Sequence, residues 1–148
     1  MIFQALSVLS PAGSLIRSGR KTIDVRDWQP PTLPLHNLLI VQNSVPLSDE
    51  TPADDAGAIV ALVDIVAVRD WTPEDLEKSR METYQNGFQA WELTNVRPAA
   101  YNRFVPARLG VYELEVNPKY LMLPDGAYNY VYPEESQSGL EKDATTEP

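Results

Sequence analysis

A chain of 148 residues with 43% hydrophobic side chains fits one domain built on one core. Its longest apolar run, Ala58 to Val63, is far too short to cross a bilayer, and the lack of cysteine excludes a disulfide framework and any thiolate metal site. The net charge of −9 counts, at first sight, against a nucleic-acid binder.

Ile2 to Leu9 has strand composition, with Phe3, Ala5, Val8 and Leu9 apolar. Ser10-Pro11 then reads as a helix start, with a hydroxyl to cap free amides and proline at the first helical position. Gly19 supplies a left-handed end after about two turns. Leu15 and Ile16 are the expected buried face. Thr22 to Trp28 alternates, Ile23 and Val25 pointing one way and Thr22, Asp24 and Arg26 the other. Pro30, Pro31 and Pro34 impose an extended loop. Leu38 to Val41 is a buried strand, and Ser44 to Gly57, acidic and proline-containing, is expected to be a surface loop.

Ala58 to Val68 (AIVALVDIVAV) is the strongest strand signal, long enough to bend around a barrel. Asp64 interrupts it and must face water or a partner. Thr72-Pro73-Glu74-Asp75 opens a second helix, with the acid placed for a capping box, and this helix should fade near Met81. Asn86-Gly87 marks a turn. Phe88 to Val96 and Leu109 to Val116 read as further strands, separated by a loop carrying Arg97, Pro98, Tyr101, Arg103 and Pro106. Beyond Tyr132 the chain turns polar and acidic. The expected organisation is a folded domain over residues 1–132 and an acidic, disordered tail over 133–148. The fold class expected is mainly β with short helices (α+β), arranged as a small mixed or antiparallel β-barrel.

Charge is unevenly placed. Five acids and one base fall between Glu134 and Pro148, and ten acids face three bases between Ser48 and Glu82. Two windows run the other way: Arg17, Arg20, Lys21 and Arg26 outnumber Asp24, and Arg97, Arg103 and Arg108 meet no acid. A local positive surface can therefore exist on an acidic protein.

The stretch Leu6 to Trp28 (LSVLSPAGSLIRSGRKTIDVRDW) carries a strand, a proline, a short helix and then Gly19, Lys21, Asp24 and Arg26 in a glycine-x-lysine-x-x-acid-x-arginine pattern. This resembles the opening of ASCH domains, a nucleic-acid-associated branch of the PUA-like β-barrels. Leu38 to Val41, Gly57 to Asp64, Trp91 to Arg97 and Gly110 to Leu114 fit later parts of the family pattern in the same order, so the resemblance spans about residues 5–116. Asp24 stands where most members carry glutamate. The resemblance implies a PUA-like barrel with a cleft near the motif, and contact with RNA or a nucleotide. It also implies an alternative, because some small members are amidohydrolases acting on N-acylated cytidine through a lysine, a threonine and a glutamate. Lys21 falls on the lysine position, but Asp24 occupies the threonine position and Thr22 lies two residues away. Glu74 and Glu77 lie in roughly the region of the third member, but they read better as a helix N-terminal charge pair.

Strict alternation separates Lys21 from Asp24 and Arg26, so the three converge only if the regular strand begins after Lys21. If they converge, Asp24 orients the cations, and Lys21 and Arg26 can hold a phosphate. An internal salt bridge fixing the corner is the structural alternative. Arg97 from the second window is expected in the same cleft, and Trp28 and Tyr101 flank the windows where a base can stack. Trp91 is expected in the core.

The expected ligand-binding set is thus Gly19, Lys21, Asp24, Arg26, Trp28, Arg97 and Tyr101; Lys21 and Asp24 are catalytic only if the protein is an enzyme. His36 has no second histidine to share a metal, and the acids of Ser48 to Asp55 match no calcium loop. No metal, cofactor or membrane partner is expected. The expected partner is RNA or a nucleotide, with short single strands favoured. An adaptor that meets a basic protein through the acidic loop or tail is a third reading. The segment after Met1 has no basic-then-apolar pattern, and the expected compartment is the cytoplasm.

Overall fold

The computed structural model describes residues 1–121. The proposed boundary at 132 and the acidic tail lie outside the described residues. Nine strands and two short α-helices follow in chain order: β1 (Ile2–Leu9), α1 (Ala12–Arg17), β2 (Ile23–Arg26), β3 (Leu35–Asn43), β4 (Ala53–Ile65), β5 (Val68–Asp70), α2 (Leu76–Ser79), β6 (Gln89–Glu92), β7 (Thr94–Pro98), β8 (Val105–Arg108) and β9 (Val111–Glu115). The fold is mostly β with few short helices. No helix among the described residues is long and apolar enough to cross a membrane.

The larger sheet runs β7-β4-β3-β1-β9, with β8 pairing the start of β4, and a smaller sheet runs β2-β6-β5. Both sheets together are mixed in direction, because β1 pairs β3 in parallel and the other ladders are antiparallel. The near-continuous apolar runs in β3 and β4 have a physical reason. Leu39, Val41, Ile59 and Leu62 fill one cluster with Phe3 and Ala5, while Leu38, Ile40, Ala61 and Val63 fill a second with Leu6 and Val8. These strands are covered on both faces, so alternation disappears from their sequence. The pairing path does not join β7 to β9. Side chains reach across instead: the Arg108 amide of β8 donates to Ser7 Oγ of β1 at 2.9 Å, and the Tyr112 hydroxyl of β9 donates to the Pro106 carbonyl of β8 at 2.8 Å.

The Ser44 to Gly57 segment is not wholly a loop. Ala53 begins β4, and Ala53, Asp54 and Gly57 pair with Arg108, Ala107 and Val105. Backbone pairing with β8 holds this acidic stretch while its side chains remain largely outside. Gly57 is needed there, since a Cβ would lie 2.6 Å from Val41 Cγ1 and 2.7 Å from the Val105 carbonyl. The expected continuous strand Phe88 to Val96 is instead β6 and β7, with a break at Leu93 and left-handed Asn95 (φ 49°). Arg97, Pro98 and Pro106 lie in strands β7 and β8 rather than in a loop.

At α1 the glycine reading holds and the cap reading does not. Gly19 has φ 81° just past the helix end. No side-chain cap opens the helix at Pro11; the Ser14 amide is taken by Gln42 Oε1 from β3 at 2.9 Å. Ile16 is buried and Leu15 only half so. The second helix ends at Ser79, before Met81, where Arg80 takes the left-handed conformation (φ 57°). Its entrance has the expected box: the Asp75 carboxylate accepts from the Thr72 amide at 3.0 Å and from the Thr72 hydroxyl at 3.1 Å.

Candidate ligand-binding cleft

The regular strand β2 begins at Ile23, after Lys21, so strict alternation does not apply to the lysine. Lys21, Asp24 and Arg26 all line one cleft of about 430 Å³. Lys21 sits at the corner where α1 reverses into β2, and its Nζ donates to the Ser79 carbonyl at the end of α2 at 2.7 Å. Burial pushes its ammonium below the usual lysine range; Asp24 acts against that shift and Arg26 adds to it. Asp24 is buried, and its Oδ2 accepts from Arg26 Nε at 2.5 Å. Arg26 also donates through Nη2 to the Ser7 carbonyl of β1 at 2.9 Å, and its guanidinium lies 5.8 Å from the Trp28 ring centre. The motif thus knits the small sheet to the large one.

Trp28 is half-buried and lines the cleft. It meets fully buried Trp91 edge-on at 4.8 Å between ring centres, while Trp91 Nε1 donates to the Trp28 carbonyl at 3.3 Å. Trp91 is core, as its sequence neighbours suggest. The other walls come from far along the chain: Ser7 and Leu9 of β1, the segment Asn43 to Leu47 after β3, Phe88, and Arg108 to Gly110 between β8 and β9. Leu9, Val45, Met81 and Leu109 form an exposed apolar rim over the polar floor.

Not every expected residue is here. Arg97 does not line the cleft. Its guanidinium is committed to Asp64 Oδ1 at 3.0 Å and Asn37 Oδ1 at 2.9 Å. Burial lowers the Arg97 pKa against the pull of Asp64. Burial likewise pushes the Asp64 carboxyl up, but bonds from Asn95 and the Asn37 amide, with Arg97 and His36 nearby, hold it below the usual range. His36 Nδ1 stands 3.7 Å from Asp64 Oδ2 in that separate cluster. Tyr101 packs half-buried against the first core cluster, and Gly19 shapes the corner without lining the cleft. Glu74 and Glu77 are exposed, and no glutamate among the described residues lines the cleft.

Of the second window, the structure brings Arg108 rather than the expected Arg97 to the cleft. Arg108 lines the cleft, and its side chain has no ion-pair partner among the described residues. The signal was its place just before Gly110, whose φ of 74° turns β8 into β9 at the cleft mouth. With Lys21, Arg26 and Arg108 against the single carboxylate Asp24, the lining is cation-rich on a protein of net charge −9.

No functionally curated protein matches the chain. Among solved structures it is similar to a crystal structure of a mutant ZmASCH protein from Zymomonas mobilis. That likeness has a TM-score of 0.43 at 15% identity and covers 72% of this chain and 75% of the other. The ASCH domain model matches residues 6–101, a span that begins in β1 and runs through the whole lysine–aspartate–arginine corner. The chain belongs to the ASCH domain family.

Proposed function

We propose that the cleft binds one nucleotide unit of a short single-stranded RNA, within a PUA-like β-barrel. The observation that carries this reading is the convergence of Lys21, Asp24, Arg26, Trp28 and Arg108 on one concavity. Its size of about 430 Å³ falls in the range of small-molecule sites. Arg108 is an exposed, uncommitted cation suited to a phosphate, whereas Arg26 is held and serves to orient Asp24. Trp28 and Phe88 offer ring surface beside the polar floor. Family membership supports the RNA reading, and the side-chain bridges from β8 to β1 and β9 support the barrel.

The amidohydrolase reading has less support. The cleft holds a buried lysine, but a carboxylate replaces the threonine and no glutamate among the described residues completes the set.

Titration with short single-stranded RNA tests the proposal. Arg108→Glu should weaken binding and flatten the salt dependence by about 0.7 in logarithmic slope, the share of one neutralised phosphate. It should leave the melting temperature unchanged, since that side chain has no described ion pair to lose. Unaltered affinity and slope in this variant would place the RNA elsewhere.

A further inference from the structure

We propose that the cleft selects uracil, with Lys21 donating to a ring carbonyl and Asp24 accepting from the N3–H. This inference rests on the nucleotide-binding reading above and names the base that occupies the site.

Lys21 and Asp24 are only 6% and 5% exposed, and they line the same cleft. They carry opposite charges, yet they do not pair with each other. Each is anchored by a third group. The ammonium has three donors, and one goes to the Ser79 carbonyl. The carboxylate has two oxygens, and Oδ2 is taken by Arg26 Nε. Oδ1 accepts nothing from any described residue, and the other two ammonium hydrogens reach no described acceptor. A buried polar group left unsatisfied is costly, so an acceptor beside a donor on the ligand is the complement that relieves both.

Donor and acceptor counts then choose the base. Asp24 is the one carboxylate among the described lining side chains and has one oxygen to give, while Lys21, Arg26 and Arg108 make the lining rich in donors. Cytosine and adenine present an amine with two hydrogens, and guanine presents an amine and a ring N–H. Each would bury at least one N–H with no carboxylate left to accept it. Uracil presents a single N–H flanked by two carbonyls, which is the donor-poor, acceptor-rich edge this cleft lacks. A carbonyl oxygen, with two lone pairs, also suits an ammonium better than a ring nitrogen with one.

The experiment titrates the full wild-type chain with the monophosphates UMP, N3-methyl-UMP, CMP, AMP and GMP. UMP should bind at least about tenfold more tightly than the other natural three, and N3-methylation should remove that advantage. Asp24→Asn, which can turn an amide N–H toward the base, should abolish or reverse the preference for UMP over CMP. Equal binding of UMP and CMP, a preference for CMP, or no effect of the methyl group would overturn the uracil assignment while leaving nucleotide binding intact. Failure of every monophosphate to bind would overturn the nucleotide reading and this inference with it. The methylated ligand keeps the test valid even if the Asp24 variant does not fold, because it uses the unaltered protein.

Discussion

Replacing Lys21 by methionine separates a ligand-binding role from a structural one. The new side chain keeps the length and apolar stem but loses the ammonium. Two opposing effects on stability follow. The Ser79 carbonyl loses a charge-assisted bond of 2.7 Å, worth about 1.5–3 kcal/mol. Against that, the ammonium is only 6% exposed and burial depresses its pKa, so its removal relieves a desolvation cost of similar size. Asp24 is not orphaned, because Arg26 still holds it. The net change should therefore lie within about 1 kcal/mol, a shift of about 4–8 °C at most for a domain near 100 residues. Affinity for UMP or a short RNA should fall about tenfold or more, since the proposed donor to the base is gone. Thermal melting and titration of the same preparation read both quantities. A loss beyond about 15 °C would refute the balance and make Lys21 the tie that holds the end of α2. Unchanged affinity would refute its place at the base.

Two further predictions concern the scaffold. Asp75 accepts from Arg69 Nη1 at 2.7 Å and Nη2 at 3.0 Å, and chiefly for that reason its carboxyl is held down at about 2. Asp75→Asn should cost about 1–2 kcal/mol at pH 7, allowing for screening around half-exposed Arg69. A depressed carboxyl stabilises above its unfolded value and loses that contribution as pH falls toward the folded one. The gap between wild type and variant in urea unfolding should therefore shrink between about pH 4 and pH 2, and a gap that persists would contradict it. Gly57→Ala should destabilise by about 1–3 kcal/mol, because the new methyl meets the Val105 carbonyl at 2.7 Å. Wild-type stability in chemical denaturation would show that β4 and β8 can separate without cost.

The parts of this fold that were legible in the sequence are those set by local chemistry. Gly19 ends α1, Thr72 and Asp75 form their box, and the apolar runs of β3 and β4 are strands buried on both faces. The parts that were not legible depend on partners distant in sequence. Acids hide the start of β4, because only the backbone of β8 defines it as a strand. The choice between Arg97 and Arg108 could not be made from charge windows. It depends on the β4–β7 ladder, where the pairing of Asp64 with Thr94 brings Asp64 within reach of Arg97. The ammonium of Lys21 is turned by the end of α2, 58 residues away.

The same geometry explains how a chain of charge −9 can present a cation-rich site. Part of the acid among residues 1–121 is engaged in close pairs: Asp64 with Arg97, Asp75 and Glu92 with Arg69, and Asp24 with Arg26. Those pairs cancel at close range and contribute little field at the cleft mouth. Charges farther than about 8 Å are largely screened at physiological salt, so the field met by a phosphate there is set by what lines the mouth rather than by the total. Arg108 dominates that local sum, as an exposed cation with no described ion-pair partner. A long duplex would also sample Asp49, Glu50 and Asp55, which have no described ion-pair partners, and would be repelled there. On the proposed reading, net charge would limit the length of the ligand rather than exclude nucleic acid.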